Sequence, residues 1–424
     1  MSLSERIDYK FGENRYYSSN HWIYEKCFLT DPKMIGIVYF KEFDYAIYLN
    51  PNDKRGYRSI IRLIKNDDMN STLNRFYSSF ERIGLSLTMS LVTDAYYQIV
   101  PIVQSVVAGN NAHSFDQETN LIELGNADEP NFLHGHVFGR GNPKRNYIGN
   151  VPLEGPFPGS NFDLKGELAN EKKIPWKFED MVQVVQKSKE EIDQLKNIYE
   201  NFGLRIFTEN LSFEIYLIRH GETDWNIEKK LQGHTDIPLN QNGLLQSEKL
   251  KEKLNGINFS KIISSDLQRA HSTAQRIDNS NQLIEKSILL REKSFGQWEG
   301  KSIEELHSYL KQTFDLDQFT KEEYLSFKWN EDIESYSDVY RRIYQVIRSL
   351  IISHSSDLNN PVLFSTHGGV LRTILYHFDY QQGFRWKVSN CALIKLQVCV
   401  DGQISIKQLD GIQLIKDEHV LSSF

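Results

Sequence analysis

The spacing of apolar positions predicts a mixed arrangement of strands and helices in the first half of the chain. From about residue 70 to 108 the apolar positions recur at helical spacing, with an interruption near Gly84. Alternating or continuous apolar runs bounded by polar turns predict short strands. Four such strands are expected, at residues 34–40, 45–49, 121–124 and 133–138. The first half is therefore expected to be α+β.

The end of this half is marked by a change from turn residues to an amphipathic pattern. Residues 139–166 are rich in Gly, Pro and Asn, which is typical of a loop or an extended arm. Residues 178–201 alternate apolar and charged positions at helical spacing, and Gly203 ends the predicted helix. The segment 203–211 is therefore the expected junction between two domains.

The second half has a different pattern, in which short, wholly apolar runs alternate with helical segments. The runs at 215–218, 261–265 and 362–366 are each followed at once by small hydroxyl or charged residues. Such runs are typical of buried parallel strands. Helices are expected at 242–254, 267–276 and 337–353. This order predicts an α/β three-layer sandwich with a mostly parallel sheet.

Length and composition support two domains of ordinary globular type. The chain has 424 residues, which exceeds what a single core usually holds. No stretch approaches the roughly 18 apolar residues of a membrane helix, and the first residues lack the apolar core of a secretion signal. The three cysteines, at 27, 391 and 399, are too scattered for a disulfide framework or a metal cage. We therefore expect a cytoplasmic protein, and the net charge of −7 argues against nucleic acid as a partner.

Charged side chains follow the apolar runs of the second half. Arg219 and His220 follow the first run, Arg269 follows the second, and His367 follows the third, with Glu292 between them in sequence. Strand ends of a parallel sheet converge on one edge, so these groups can meet there. Cationic donors, a neutral imidazole and an acid are what phosphoryl transfer requires. The alternative is structural: the arginines are ion-paired supports and His367 is a core histidine.

The blocks LIRHGETDWN, LQGHTDIPLNQNG, SSDLQRAHSTA, LREKSFGQWEG and FSTHGGVLR resemble the histidine phosphatase superfamily. They are most similar to its phosphoglycerate mutase-like branch, of the ribazole-phosphatase type. The resemblance implies that His220 is the nucleophile and that Glu292 protonates the leaving oxygen and then activates water. It implies that the phosphoryl group is bound by Arg219, Arg269 and His367. Further pocket positions implied by the blocks are Thr223, Asn226, Gln232, Gly233 and Gly368.

The resemblance also bears on the reaction. It implies no metal and no cofactor, and it favours hydrolysis over a phosphoglycerate-type mutase. The region 306–330 is similar to the variable segment that covers the pocket in this family. The resemblance implies that the aromatic residues of this region select the leaving group. The alternative is that the region forms an ordinary amphipathic surface helix. His234 is expected only to fill the rim of the pocket.

The first half contains a second histidine pattern, with His134 and His136 two positions apart on a predicted strand. Residues at this spacing share one face of a strand, so one imidazole could attack a phosphate while the other binds it. The run from Leu121 to Arg140 resembles a divergent histidine triad (HIT) domain, in which His134 would be the nucleophile. Phe132 stands where that family has its first histidine. A metal pair and histidines without function remain the alternatives.

Together these observations predict a HIT-like domain at 1–205, a linker at 206–212 and a histidine phosphatase domain at 213–424. The expected function is phosphomonoester hydrolysis through a phosphohistidine, fused to a module that binds or cleaves a nucleotide phosphoanhydride. One alternative keeps the phosphatase and makes the first domain a catalytically inactive binding module. The expected partner is a small phosphorylated metabolite, including a nucleotide or nucleotide-sugar, with no membrane partner and the oligomeric state left open.

Overall fold

The chain divides into two compact units between Asn210 and Leu211. The computed structural model describes residues 28–41, 43–49, 59–64, 79–106, 114–120, 134–140, 177–279, 282–353, 360–379 and 384–416. Among these residues, no helix combines the length and the apolarity that a membrane crossing requires.

The first unit is built on an antiparallel six-stranded sheet. Its strands are β1 (Met34–Phe40), β2 (Phe43–Leu49), β3 (Ser59–Ile64), β4 (Ser114–Asn120), β5 (His134–Arg140) and β6 (Leu204–Phe207). Their order across the sheet is β4-β5-β3-β2-β1-β6. The tight β1–β2 hairpin confirms the strand pair expected from the alternating apolar residues. The expected strand at 133–138 is present as β5.

The described residues of this unit also form two long helices, α1 (Ser79–Val106) and α2 (Phe178–Glu200). Leu85, Val92 and Ile192 are fully buried with the apolar residues of β1 and β2, so both helices share a core with the sheet. The interruption predicted near Gly84 is wrong, because α1 runs through this position. A β-carbon on Gly84 would lie 2.5 Å from Tyr45 Oη, so the glycine permits close packing of helix on strand and does not break the helix.

Two strands reach into the predicted linker at 206–212. Residues 206 and 207, at the start of the predicted linker, belong to β6, which pairs with β1 of the first sheet. Ser212, at its end, begins the first strand of the second unit. The helix expected at 178–201 is confirmed as α2. The strand expected at 121–124 and most of the loop expected at 139–166 lie outside the described residues.

The second unit is an α/β fold on a mixed, mostly parallel sheet. Its strands are β7 (Ser212–Arg219), β8 (Lys261–Ser265), β9 (Ile284–Ser287), β10 (Val362–Thr366), β11 (Phe384–Cys399) and β12 (Ile404–Lys416). Their order is β12-β11-β7-β10-β8-β9. Strands β7, β10, β8 and β9 pair in parallel, whereas β11 is antiparallel to both of its neighbours.

Helices cover both faces of this sheet. They are α3 (Asp224–Ile227), α4 (Gln241–Lys253), α5 (Gln268–Ile277), α6 (Ile303–Thr313), α7 (Lys321–Ser326), α8 (Tyr336–Ser353) and α9 (Gly368–Phe378). Leu250 of α4 and Ala274 of α5 are buried against Ile218 of β7, on one face. Helix α9 packs on β7 and β11 and against α8. The predicted three-layer arrangement is confirmed.

This topology decides where chemistry can occur. The parallel strands β7, β8 and β10 end at Arg219, Ser265 and Thr366, on one edge of the sheet. The chain then turns into α5 and α9 from two of those ends. Side chains carried by these turns therefore meet although they are far apart in sequence.

Candidate active site

His220 lies at the carboxyl end of β7 and is almost fully buried, with 2% of its surface exposed. Its backbone N–H donates to the Thr366 carbonyl at 3.0 Å, which ties it to the end of β10. Its Nδ1 lies 2.6 Å from the carbonyl oxygen of Gly221. A carbonyl only accepts, so the proton must be on Nδ1, and Nε2 keeps its lone pair. The geometry thus fixes the tautomer that a nucleophilic imidazole needs.

His367 stands opposite, with its ring centroid 5.2 Å from that of His220. Its Nδ1 accepts from Arg269 Nε at 3.2 Å, and a guanidinium can only donate. The proton of His367 is therefore on Nε2, the buried atom that has no hydrogen-bond partner among the described residues. His367 thus presents an N–H donor, while His220 presents a lone pair.

Two arginines supply the positive charge, and both are buried. Arg269 donates to the carbonyls of Gly233 and Thr235, each at 2.7 Å, in addition to the bond from its Nε to His367. These three bonds leave two of its five N–H groups. Arg219 donates through Nη1 to the Val388 carbonyl, and its buried Nε has no partner among the described residues. Burial lowers the pKa of each guanidinium to about 10, so both stay charged at neutral pH.

The same charges act on the histidines. Burial, and then the positive charge of Arg269, lower the pKa of His220 well below its usual range. The pKa of His367 is lowered for the same reasons, in the same order. Both imidazoles are therefore neutral at physiological pH, as a nucleophile and a hydrogen-bond donor of this type require.

Glu292 is positioned by backbone amides. Its Oε1 accepts from the Lys293 N–H at 2.8 Å, and its Oε2 accepts from the Gly369 N–H at 3.1 Å, in the first turn of α9. A β-carbon on Gly369 would lie only 2.1 Å from Glu292 Oε1, so the carboxylate can take this position only beside a glycine. Glu292 is 9% exposed, and its contact with Gly369 places the carboxylate near His367, which directly precedes α9.

The loop that carries Gln232 and Gly233 is organised by a residue that has no assigned role in the sequence analysis. Glu299 accepts from the backbone N–H groups of His234 and Thr235 at 2.9 and 3.0 Å. A β-carbon on Gly233, whose φ is +51°, would lie 2.0 Å from Glu299 Oε1. Glu299 therefore shapes the loop whose carbonyls accept from Arg269. The only sequence signal for it was its place in the block LREKSFGQWEG.

The other predicted pocket residues lie next to His220. Thr223 caps α3, and its backbone and hydroxyl both donate to Asn226 Oδ1 at 3.1 Å. Asn390 of β11 donates to the same oxygen at 3.2 Å and to the His220 carbonyl at 3.3 Å. Asn226 Oδ1 thus accepts from three donors, which fixes the orientation of its side chain beside His220. Asn390 was missed because β11 has no motif at that position.

Gln232 and Gly368 complete the predicted set. Gln232 is 8% exposed, and its Oε1 has no hydrogen-bond partner among the described residues. Gly368 begins α9 directly after His367, and a β-carbon there would lie 3.3 Å from Arg219 Nε. Contacts thus connect His220, His367, Arg269 and the Gly233 loop. Glu292 is held against the first turn of α9, which begins directly after His367.

In the first unit, His134 and His136 lie on β5. Their backbones pair with Asn120 and Glu118 of β4, and with Arg62 and Ile60 of β3, so this strand is interior to the sheet. The structure thus places both histidines two positions apart on one strand, as the sequence predicts. Phe132, in the position of the expected first histidine, lies outside the described residues.

Comparison with known proteins bears on both halves. Residues 215–409 match the family model of the histidine phosphatase superfamily (branch 1). A phosphoglycerate mutase-like protein 4 of Arabidopsis thaliana is 33% identical over 38% of this chain and 69% of its own length. The chain belongs to the histidine phosphatase superfamily.

Two further relatives of this histidine phosphatase are named as phosphatases. The broad-specificity phosphatase YOR283W of Saccharomyces cerevisiae is 29% identical over 50% of this chain and 93% of its own length. The adenosylcobalamin/alpha-ribazole phosphatase of Escherichia coli is 29% identical over 40% of this chain and 86% of its own. Residues 31–188 match the HIT-like (HIT-related) family model. Both resemblances drawn from the sequence are confirmed.

Proposed function

We propose that the second unit of this histidine phosphatase hydrolyses phosphate monoesters through a phosphohistidine on His220. The observation that carries the proposal is the fixed tautomer of His220, whose Nδ1–H is held by the Gly221 carbonyl at 2.6 Å. The remaining lone pair on Nε2 lies in a pocket lined by the donors of His367 and two guanidinium groups. A dianionic phosphoryl group is what such a pocket binds most strongly.

The reaction then proceeds in two steps. His220 Nε2 attacks phosphorus in line with the ester oxygen, the P–O bond breaks, and Glu292 transfers its proton to the leaving alcohol. Water next loses a proton to the Glu292 carboxylate and attacks the phosphohistidine, so that the P–N bond breaks and inorganic phosphate forms. Arg219, Arg269 and His367 donate to the equatorial oxygens, where negative charge accumulates in both transition states.

The direct test is hydrolysis of p-nitrophenyl phosphate by His220→Ala beside wild type. We expect the variant to lose all measurable turnover and to lose the phosphohistidine that wild type shows by mass spectrometry after rapid alkaline quenching. His271→Ala, a histidine of α5 outside the pocket, is the matched control and is expected to keep wild-type turnover. Persisting activity in His220→Ala, or loss of wild-type activity in EDTA, would sink the proposal.

Hydrolysis is distinguished from mutase activity by the fate of the phosphoryl group. Both reactions use a phosphohistidine, but only hydrolysis delivers it to water. With 3-phosphoglycerate as substrate, we expect stoichiometric release of inorganic phosphate. Accumulation of 2-phosphoglycerate without phosphate release would make the chain a mutase.

For the first unit we propose a nucleotide phosphoanhydride as the ligand, which the HIT-like site binds or cleaves. The support is the match to the HIT-like family over residues 31–188 and the position of His134 and His136 on β5. Its alternative is a binding module without catalysis. The two readings differ in whether His134 takes part in covalent chemistry.

The test is a panel of dinucleotides and nucleotide-sugars, each with wild type, His134→Ala and His220→Ala. Cleavage that is lost in His134→Ala but kept in His220→Ala supports a catalytic first unit. Binding without cleavage, weakened in His134→Ala, supports the inactive module. Absence of both binding and cleavage across the panel would reject nucleotides as ligands.

A further inference from the structure

Strand β11 has a bulge beside the carboxyl end of β7. Its pairing with β12 is interrupted after Val388 and resumes at Leu393, although the two partners on β12 are only two positions apart. Residues 389–392, which we call the β11 bulge, therefore face a single residue of β12. The carbonyl of Val388, directly before the bulge, accepts a hydrogen bond from Nη1 of Arg219. Pairing of β11 with β7 begins only at Leu393, so the bulge lies next to the segment that carries the reactive residues.

Two residues account for the shape of the β11 bulge. Cys391 has a φ of +56°, in the left-handed region that residues with a side chain rarely adopt. Gly411, with a φ of +69°, is the residue of β12 that faces the bulge, and a β-carbon on it would lie 3.2 Å from Cα of Ala392. Burial raises the pKa of the Cys391 thiol to about 11, so the thiol is protonated at neutral pH. The backbone of Cys391, and not its sulfur, therefore bears on the site.

The β11 bulge donates two hydrogen bonds to the carbonyl of His220. The N–H of Cys391 and the Nδ2 of Asn390 each lie 3.3 Å from that oxygen. Asn390 Nδ2 also donates to Asn226 Oδ1 at 3.2 Å, so both of its hydrogens are used. One irregular segment of β11 thus holds the backbone of the nucleophile and the side chain of a neighbouring pocket residue.

These bonds bear on the imidazole because they fix the peptide group between His220 and Gly221. A peptide group is planar, so its carbonyl and its N–H turn together. The carbonyl accepts from the bulge, and the N–H donates to Thr273 Oγ1 at 3.1 Å on the other side. The Gly221 carbonyl, which holds the proton on His220 Nδ1, follows this peptide directly. The position of that carbonyl, and with it the tautomer of His220, therefore depends on the bulge.

We propose that the β11 bulge is a positioning device for the nucleophile, in which Asn390 keeps His220 in its Nδ1–H tautomer. The inference rests on the proposed phosphatase activity and adds a positioning residue to it. Asn390 acts through the peptide between His220 and Gly221 and takes no part in making or breaking bonds. The hydrogen bonds from the bulge offset the cost of the left-handed conformation at Cys391, beside the site where the reaction needs a fixed geometry.

The direct test is Asn390→Leu, which keeps the branched shape of the side chain and removes both N–H donors. We expect kcat for p-nitrophenyl phosphate to fall by roughly 10- to 100-fold. The inhibition constant of inorganic phosphate should stay close to that of wild type, because the donors of Arg219, Arg269 and His367 remain. Asn242→Leu is the matched control, since Asn242 also donates through Nδ2, to Glu222 Oε1 at 3.0 Å, but on the exposed surface. The control should keep the wild-type kcat.

The tautomer itself provides a second readout. In protein labelled with ¹⁵N-histidine, wild type should show His220 with a protonated Nδ1 and an unprotonated Nε2, its signals identified by their loss in His220→Gln. In Asn390→Leu we expect a mixture of the two tautomers, which moves the two nitrogen shifts toward each other. If Asn390 only stabilised the fold, its loss would lower the urea midpoint and leave the tautomer unchanged. That result would overturn the inference.

Gly411→Ala tests the bulge from the opposite strand, without altering a residue that contacts His220. Its β-carbon would press on Ala392, so we expect kcat to fall while the inhibition constant of phosphate stays unchanged. Gly256→Ala is the matched control, because Gly256 has a φ of +85° and no atom within 4 Å of the added carbon. If Asn390→Leu does not fold, this pair decides the matter, and a wild-type kcat in Gly411→Ala would show the inference to be wrong.

The outcomes separate this inference from the proposed function. If wild type neither hydrolyses p-nitrophenyl phosphate nor forms a phosphohistidine, the proposed function fails. The nitrogen shifts of His220 in wild type and in Asn390→Leu then still show whether the bulge sets the tautomer.

Discussion

The proposed chemistry depends on single atoms whose protonation is set by their neighbours. The Gly221 carbonyl keeps the proton of His220 on Nδ1, and the Arg269 guanidinium keeps that of His367 on Nε2. The two imidazoles therefore have opposite roles although both are buried and neutral. Glu292 owes its position to two amides and to the missing side chain of Gly369. Substitutions of Glu292 and Gly369 test this arrangement.

Glu292→Gln removes the proton donor but keeps the shape of the side chain. We expect kcat to fall by roughly 10²- to 10⁴-fold for alkyl phosphates and far less for p-nitrophenyl phosphate, whose alcohol leaves without protonation. The measurement is kcat/KM against the pKa of the leaving alcohol. Glu285→Gln, on the edge strand β9, is the control and is expected to match wild type. An equal loss for good and poor leaving groups would contradict the assigned role.

Gly369→Ala tests the packing around the carboxylate. Its β-carbon would overlap Glu292 Oε1, so we expect a large fall in kcat with little change in secondary structure by circular dichroism. Gly256→Ala is the matched control, because Gly256 has a φ of +85° and no atom within 4 Å of the added carbon. The control should lose about 1 kcal/mol of unfolding free energy and keep its activity. Equal activity in both variants would count against the packing explanation.

At the scale of elements, helix α8 holds the segment that carries Glu292, the proposed acid. Arg342 of α8 donates to the carbonyls of Leu289 and Glu292 at 2.7 and 3.0 Å, and it pairs with Glu334. His234 Nε2 also lies 2.9 Å from the Glu292 carbonyl. His234 therefore does more than fill the pocket rim, since it binds the backbone of the acid from the opposite loop.

Arg342→Met should loosen this segment. We expect the unfolding free energy to fall by about 1–3 kcal/mol and kcat to fall most for poor leaving groups, because the acid is displaced. Urea denaturation and the leaving-group series measure the two effects. Arg341→Met, in the preceding position of α8, removes a partly exposed ion pair with Asp338 and should change stability slightly and kcat not at all. If kcat depended on the leaving group in Arg342→Met as it does in wild type, the contacts of Arg342 would only stabilise the fold.

At the scale of the whole molecule, two units have separate cores. In the first unit, α1 and α2 bury their apolar faces with β1 and β2. In the second, α4 and α5 bury theirs against β7, β8 and β10. Because each unit contains a complete sheet and its own helices, each has the elements that independent folding requires.

A chain limited to residues 211–424 should therefore fold and keep its phosphatase activity. All of the described contacts of the active site come from within this range, so we expect kcat/KM for p-nitrophenyl phosphate within about threefold of the full chain, since inter-domain interfaces usually contribute little. Circular dichroism and steady-state kinetics provide the check. An unfolded or inactive fragment would show that the second unit depends on the first.

The stability of the second unit should depend on pH because of its buried histidines. The folded-state pKa values of His220 and His367 are lowered well below the ordinary value of 6.5. As the pH falls below about 6.5, the unfolded chain binds protons at these positions and the folded chain does not. Stability is therefore present above this pH and is lost below it, by up to about 1.4 kcal/mol per pH unit for each histidine.

Urea denaturation of the 211–424 fragment between pH 7.5 and 5 measures this loss. In His220→Gln, which cannot be protonated at this position, the decrease between pH 6.5 and 5 should be smaller than in wild type. A wild-type midpoint that is unchanged over this interval would show that the buried histidines do not titrate as their surroundings indicate.

Much of this fold could be read from local patterns. Runs such as 215–218 and 362–366 are apolar because parallel strands are buried on both faces, and the structure confirms them in β7 and β10. The histidines and arginines were found because they follow those runs directly. The prediction at Gly84 was wrong because a glycine within a helical pattern indicates either a break in the helix or close packing against another element. Here the glycine allows close packing against Tyr45.

The sequence by itself determined the family of the second unit and predicted the two domains and the candidate reactive groups, because the motifs that indicate them are short, contiguous blocks. Tertiary structure alone decided which imidazole nitrogen carries each proton and which amides hold Glu292. It also brought Glu299 to the loop of Gly233 and Asn390 to His220 and Asn226. These contacts join residues from separate elements. Because such residues recur at no regular interval along the chain, the sequence pattern does not predict the contacts. The nucleophilic form of His220 is thus set by how β7, β10 and the turns after them pack together.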